Sequence, residues 1–541
     1  MIRKEHRNDR HHDYTIPGFE AAKQIDAAQE IRNENAMQTP ERGDGGGSVP
    51  RSGQPERRNN MQPRVLKCTM LGLIGAGAMI GVPVLAQERP NGKCTALRDT
   101  VFDAGYVTSA RIIDTGGEMP AYCEVRAMAL PTISIEVRLP LDGWNGRYYQ
   151  VGCGGFCGNL GGRSGFVNAV KPGLQRGYAS ATTDSGHHGQ TSVDADWADG
   201  NVNAERDWGW RSIGETNRVA QVMIEAFYGK SSDQSIFQGC STGGRMANMA
   251  ALRYPKMFQG IISGAPALNE TGLAGAGLAW QVKANTGPDG KQILKADKVD
   301  LIGAEVMRQC DGADGREDKV IADPRQCSVD LSTIACNAGA EAKACITAEE
   351  RTVVEKWRKS PIDSSGKKLF IGGIPEGSEP FWRTWLTGNE AGAPGLNPLF
   401  AQSFGSYMAY PQDPGSAYKA TEFDFDKDPP RMAAAAKMYN ADDPDISAFR
   451  AAGGKMIVWH GWADAIVSPY TTVAWHEAAE KAAGGAEALA QNVRLYMIPG
   501  LDHCGIAPGP GGISQANLDP LGALESWMQT GEAPQSLMVQ P

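Results

Sequence analysis

Hydrophobic residues along this chain come in short runs with two different periods, and the order of those periods outlines a fold. Between about residues 94 and 266, short apolar runs alternate with stretches of helical spacing, the pattern of βαβ units. Arg147-Tyr-Tyr-Gln-Val-Gly152 predicts a strand running into a glycine-rich loop, and residues 178–183 predict another. Helical spacing over 215–228 is followed by a short strand at 235–239, a helix at 246–254 and a buried strand at 258–263. From about 267 to 452 the periodicity dissolves into short runs rich in Gly, Pro, Asp and Cys, as expected of an inserted lid. The core resumes with Lys455-Met-Ile-Val-Trp-His-Gly461, a helix over 470–483, a strand over 493–498 and a helix near 518–528. The expectation is an α/β fold: a parallel sheet in two parts, 87–266 and 453–541, interrupted by a lid domain at 267–452.

The beginning of the chain is different in kind. Residues 1–60 are polar and lack apolar periodicity, which predicts disorder. Residues 61–86 then combine a basic start containing Arg64 and Lys67, a small-residue apolar run, and Val84-Leu85-Ala86 as a small-x-small cleavage site. This predicts a signal peptide cut after Ala86, with Met61 as the translation start and 1–60 as an extension outside the translated protein. The apolar run falls short of the roughly 20 residues that span a bilayer, so no membrane anchor is expected after cleavage. A secreted or periplasmic enzyme follows.

Composition narrows the function. A net charge of −9 over 541 residues, with no basic stripe beyond the first sixty, excludes a nucleic-acid partner. Of eleven cysteines, Cys68 lies in the leader, and the even remainder predicts disulfides in an exported protein. Spacing favours the local pairs Cys94–Cys123, Cys310–Cys327 and Cys336–Cys345. Cys153 and Cys157 form a fourth candidate pair across a tight loop, which leaves Cys240 and Cys504, although spacing alone does not fix connectivity.

Candidate chemistry gathers around those last two cysteines. Gly239-Cys240-Ser241-Thr242-Gly243 is G-x-S-x-G, placed after a predicted strand and before a predicted helix, as a nucleophile elbow requires. Ser241 would stand exposed at the turn, with the backbone N–H of Thr242 facing the developing oxyanion. A serine hydroxyl needs a base, and His503 follows the last predicted strand. Asp464, in His460-Gly461-Trp462-Ala463-Asp464, follows the strand before it and would orient the imidazole; Asp502 is a rival acid. Ser, Asp, His is the chain order of α/β-hydrolases. The Gly152-Cys153-Gly154-Gly155 loop offers a second backbone donor, because glycines let a backbone approach a substrate. His187-His188 lacks the partners of a zinc site and is expected to be a structural turn. His460 is expected beneath the Asp464 loop. The lid aromatics Trp280, Phe381, Trp382, Trp385, Phe404, Tyr407 and Tyr410 are expected in the core rather than against substrate.

Gly-Cys-Ser-Thr-Gly-Gly-Arg at 239–245, His-Gly-Trp-Ala-Asp at 460–464 and His503-Cys504 resemble the tannase/feruloyl esterase family over roughly 94–534. The resemblance implies an α/β-hydrolase with a triad of Ser241, Asp464 and His503 and a Cys240–Cys504 disulfide. It places the oxyanion donors on the backbones of Thr242 and Cys153. It implies a small-molecule substrate, an ester of an aromatic acid of galloyl, feruloyl or terephthalate type. It further implies a structural Ca²⁺ in the lid, far from the scissile bond, on Asp311, Asp314 and Asp318 with the carbonyls of Arg316 and Val320. Cys153 and Cys157 depart from the glycine or small residues usual in the family's oxyanion loop. The competing readings are a serine peptidase or aliphatic carboxylesterase on the same fold, and a non-catalytic binding protein.

Overall fold

A computed structural model describes residues 90–538, apart from 118, 161–168 and 340. The expected extension at 1–60 and leader at 61–86 lie outside the described residues. The described residues form one compact unit.

Its centre is a nine-stranded sheet in the order β1-β2-β3-β5-β4-β6-β7-β8-β9. The strands are β1 (Gly105–Ile113), β2 (Tyr122–Ala129), β3 (Ile133–Pro140), β4 (Arg147–Val151), β5 (Ala179–Thr183), β6 (Gln234–Cys240), β7 (Gly260–Gly264), β8 (Lys455–Gly461) and β9 (Val493–Ile498). The six from β5 across to β9 run parallel, whereas β1, β2 and β3 form an antiparallel meander joined antiparallel to β5. The βαβ alternation expected from residue 94 onward is therefore corrected: it begins only at β4. The connections between β1, β2 and β3 are too short for a crossover helix, and an antiparallel pair needs only a turn. Edge strand β1 alternates exposed and half-buried positions, while β7 is buried at every position. That contrast is expected between an edge strand and a parallel strand covered on both faces.

The period of two in the central strands feeds two cores. Phe237, Ile261, Met456 and Val458 face one layer, with α1 (Ser212–Tyr228) and α2 (Thr242–Arg253). Ile236, Ile262, Ile457 and Trp459 face the other, where Leu521, Leu524 and Trp527 of the C-terminal helix (Pro520–Thr530) cover them. Each shift of one residue moves a side chain to the opposite layer.

The insertion between β7 and β8 is more helical than its sequence pattern predicts. It contains α3 (Val299–Cys310), α4 (Ala348–Trp357) and α5 (Leu396–Tyr407). Helix α4 opens on a capping box in which Thr347 and Glu350 satisfy each other's backbone N–H groups. Val299, Ile302, Val306, Val354, Trp357, Trp382 and Trp385 build a separate apolar cluster. Ala463, Ala465, Ile466 and Val467, from the loop after β8, belong to the same cluster, so the loop carrying Asp464 is the floor on which the lid packs.

Candidate active site

Strand β6 ends in a turn that bends sharply at Ser241, where φ is +63° and ψ is −126°. Such a conformation in a non-glycine residue persists only when its surroundings impose it. Here the Ser241 N–H donates to the Gly264 carbonyl at 3.0 Å, and its own carbonyl accepts from Arg245 and Ala267. A Cβ at Gly239 would lie 2.3 Å from the Gly243 carbonyl oxygen, so only glycine lets strand and helix meet this closely. Thr242 begins α2, and first-turn amides of a helix have no intrahelical acceptor. Deep in the same helix, Arg245 donates to the carbonyls of Trp208, Gly209 and Tyr439 and stacks on Trp208 at 3.9 Å. That anchors the elbow from behind.

Asp464 and His503 come together at the ends of β8 and β9. The Asp464 Oδ2 to His503 Nδ1 distance is 2.6 Å, with both side chains buried. Asp464 Oδ1 accepts the N–H groups of Ile466 and Val467, which fixes the carboxylate plane. His460 also approaches Oδ2, through Nε2 at 3.1 Å, and its Nδ1 meets Thr472 Oγ1 at 2.8 Å. Burial alone would raise the Asp464 pKa, but the His503 charge and the bonds from both imidazoles hold it well below the usual carboxylate range. Asp502, the rival acid, instead accepts from the Trp385 indole at 3.2 Å. His460, expected only as packing, is a direct partner of the acid. Its spacing of four residues from Asp464 carried the signal.

All five disulfides expected from the sequence are present: Cys94–Cys123, Cys153–Cys157, Cys240–Cys504, Cys310–Cys327 and Cys336–Cys345. Cys240–Cys504 bridges 264 positions with its Cα atoms 6.0 Å apart. It joins the residue before Ser241 to the residue after His503. The Gly152 N–H donates to Gln238 across the ladder, and a Cβ there would stand 2.7 Å from Gly243 Cα. The Cys153 segment thus lies directly beside the elbow.

The remaining expected residues separate. His187 is buried, stacks on Trp197 at 3.7 Å and reaches the Phe156 carbonyl through Nε2. Burial lowers its pKa to about 4, so the ring is neutral and Nε2 donates. Phe381, Trp382, Phe404 and Tyr410 are buried as expected, but Trp385 meets His503 edge to face at 5.3 Å. In the acidic loop, Asp314 accepts from the Arg316 N–H and Asp318 from the Val320 N–H, while Asp311 Oδ1 is buried with no hydrogen-bond partner. Among the described residues no three His, Cys, Asp or Glu side chains gather closely enough to hold a metal. The donors fit a hard cation in type, and Asp311 lacks a partner, but they do not form a closed cage. Val320 of this loop packs against Gly500, where an added Cβ would lie 3.1 Å from Val320 Cγ1.

A strained serine at a strand–helix turn, a buried His–Asp pair and the order Ser, Asp, His on a parallel sheet define an α/β-hydrolase. The profile of the family described as "Tannase and feruloyl esterase" matches residues 117–541, and the chain belongs to that family. It is 33% identical to an uncharacterized esterase of Xanthomonas campestris over 84% of this chain and 81% of that protein. It is 28% identical to a mono(2-hydroxyethyl) terephthalate hydrolase of Piscinibacter sakaiensis, over 82% of this chain and 84% of that one. Against the solved structure of an esterase from Aspergillus oryzae the TM-score is 0.71 at 26% identity, covering 83% of this chain and 92% of that one. The chain is a carboxylic ester hydrolase.

Proposed function

We propose that this protein is an exported serine esterase that cleaves esters of aromatic carboxylic acids through an acyl-enzyme. The buried 2.6 Å contact between His503 and Asp464 carries the reading, because it lies one disulfide away from the strained Ser241. Ser241 Oγ attacks the ester carbonyl carbon while His503 Nε2 takes its proton. Asp464 stays ionised, holds the ring in one tautomer and stabilises imidazolium. The tetrahedral oxyanion faces the N–H groups of Thr242 and Cys153. The alcohol leaves with the proton from His503, and water attacks the acyl-enzyme by the same steps in reverse. Two relatives, a terephthalate-ester hydrolase and a probable feruloyl esterase B of Emericella nidulans, support an aromatic acyl group. Five disulfides support export.

A fluorophosphonate should label Ser241 in folded protein and not in Ser241→Ala. Values of kcat/KM for methyl gallate, methyl ferulate and mono(2-hydroxyethyl) terephthalate should all exceed that for an aliphatic methyl ester. Absence of labelling, or preference for the aliphatic ester or an aminoacyl amide, would overturn the reading.

Calcium belongs to the same proposal. Asp311, Asp314 and Asp318, with the carbonyls of Arg316 and Val320, would have to close around the ion to hold it, and the ion would supply charge neutralisation and order to the loop. The orphaned Asp311 oxygen supports this. Elemental analysis of purified protein should find one calcium per chain, and a chelator should lower Tm; metal-free protein with an unchanged Tm would remove calcium from the account.

A further inference from the structure

We infer that Cys153–Cys157 is a second active-site disulfide, a brace that positions the oxyanion loop. The inference rests on the proposed role of the Cys153 N–H and adds to it the element that holds that donor in place.

The loop leaving β4 has glycine at 152, 154, 155 and 158. Gly155, Cys157 and Gly158 all adopt positive φ, at +56°, +66° and +91°. Glycine loses more conformational freedom on ordering than any other residue, so a loop of this composition is poorly defined by its backbone alone. The hydrogen bonds fix its two ends. Gly152 donates to Gln238 at 2.9 Å; further on, Phe156 donates to Ser192 at 2.7 Å and Gly158 to Asp184 at 3.1 Å. The Phe156 carbonyl accepts from His187. Between these anchors lies the span from Cys153 to Gly155, which contains the proposed donor; its one backbone bond, from the Cys157 N–H to the Gly154 carbonyl at 3.0 Å, closes the same turn as the disulfide. The disulfide closes that span, with its Cα atoms 5.4 Å apart and both cysteines buried. Cys153 Sγ also rests against Met246 Sδ of α2 at 3.6 Å, so the brace is seated on the nucleophile's helix.

The same closure presents Phe156, between the cysteines, to the lid. Its ring meets Trp208 at 6.1 Å and Phe400 of α5 at 5.2 Å. One covalent ring therefore defines both the oxyanion donor and a contact between loop and lid. Backbone donors stabilise a transition state only when they are already in position, so releasing the brace weakens transition-state binding more than ground-state binding.

The test compares wild type with C153A/C157A, with active-site titration to count folded enzyme. Three quantities are read: kcat/KM for an aromatic ester, the Ki of an arylboronic acid that forms a tetrahedral adduct on serine, and the Kd of the product acid. The variant should lose about 10- to 100-fold in kcat/KM, below the ~10²–10³-fold loss of a whole oxyanion donor. The boronate Ki should rise by a similar factor while the acid Kd changes less than threefold. Kinetics and boronate affinity within twofold of wild type, even with a lowered Tm, would show a merely structural bond and overturn the inference. If C153A/C157A does not fold, C157S, which keeps residue 153 unchanged and opens the ring, is read against the same outcomes. Failure of wild type itself to bind the boronate would overturn the serine mechanism along with the brace.

Discussion

The indole N–H of Trp385, a lid residue, donates to the buried carboxyl of Asp502 at 3.2 Å while its ring lies edge to face on His503 at 5.3 Å. The lid thus touches the proposed base through one side chain, and the neighbour of that base holds the side chain in place. Removing the donor leaves a buried acceptor unsatisfied, at a cost of ~1–3 kcal/mol. Trp385→Phe, which keeps a ring, should lower Tm accordingly and reduce kcat more than Trp385→Phe lowers product-acid affinity. Calorimetry with steady-state kinetics checks both.

Asp502 carries its own pH signature. Burial first, and then the Asp464 charge, push its pKa well above the usual carboxylate range. The folded state therefore keeps a proton that the unfolded chain releases, and stability falls as pH rises above the ordinary carboxyl value. Asp502→Asn, neutral at every pH and still an acceptor for Trp385, should match wild type near pH 4 and show the higher Tm from pH 6 upward. Parallel Tm–pH curves for the two proteins would refute this assignment.

Glu270, at the start of the lid, is a second such group. It is buried, one carboxylate oxygen has no hydrogen-bond partner, and Arg245 is the charge that opposes its desolvation. Burial pushes its pKa up from 4.5 to about 7. Its contribution is complete below the unfolded value and is lost as pH rises through 7, on the order of 3 kcal/mol in total. Glu270→Gln should flatten that part of the stability curve, as read by denaturant unfolding at pH 5, 6, 7 and 8.

The parts of this molecule legible in its sequence are those where local pattern and tertiary role coincide. Strands β6, β7 and β8 are buried on both faces, so they read as apolar runs, and the elbow reads as glycine punctuation between a strand and a helix. The meander at β1–β3 was hidden because alternation there looks like any half-buried strand, and sequence does not state whether the next strand returns antiparallel. The lid helices were hidden for another reason: α4 has a polar exposed face and begins at a capping box rather than in an apolar run. His460 carried a visible spacing to Asp464, but its hydrogen bond to the acid depends on the curl of the loop after β8. The Trp385–Asp502 contact spans 117 positions and has no local signal at all.

His460 should act on the pH profile rather than on folding alone. Its Nε2 faces only acceptors, Asp464 Oδ2 and the Val467 carbonyl, each at 3.1 Å, so it must carry the proton and donate. That donation shares the oxygen that His503 uses. Without it, more negative charge remains on Oδ2 to stabilise imidazolium, with Asp502 the other carboxyl near the acid. His460→Leu should therefore move the acid limb of kcat/KM to higher pH. His460→Gln, which keeps an N–H donor, should restore the limb toward wild type. An unmoved limb in His460→Leu would reduce His460 to packing.

The Cys240–Cys504 bridge should matter more to rate than to stability. Loop closure over 264 positions sets an upper bound of about 5–6 kcal/mol, most of it already supplied by the β6–β7–β8–β9 ladder that places both ends. The catalytic geometry has less to spare, since Ser241 and His503 each sit one residue from the bond and a misplacement of about 1 Å can cost ~10²-fold in rate. C240A/C504A should thus keep a cooperative unfolding transition at reduced Tm while kcat falls by ~10–100-fold per titrated active site. Asp464 is held independently of the bridge by the Ile466 and Val467 amides, so the pH dependence of the residual activity should be unchanged. A rate loss that merely tracks the unfolded fraction would assign the disulfide to stability alone; a shifted pH profile would mean that the base, and not its distance from the nucleophile, had been disturbed.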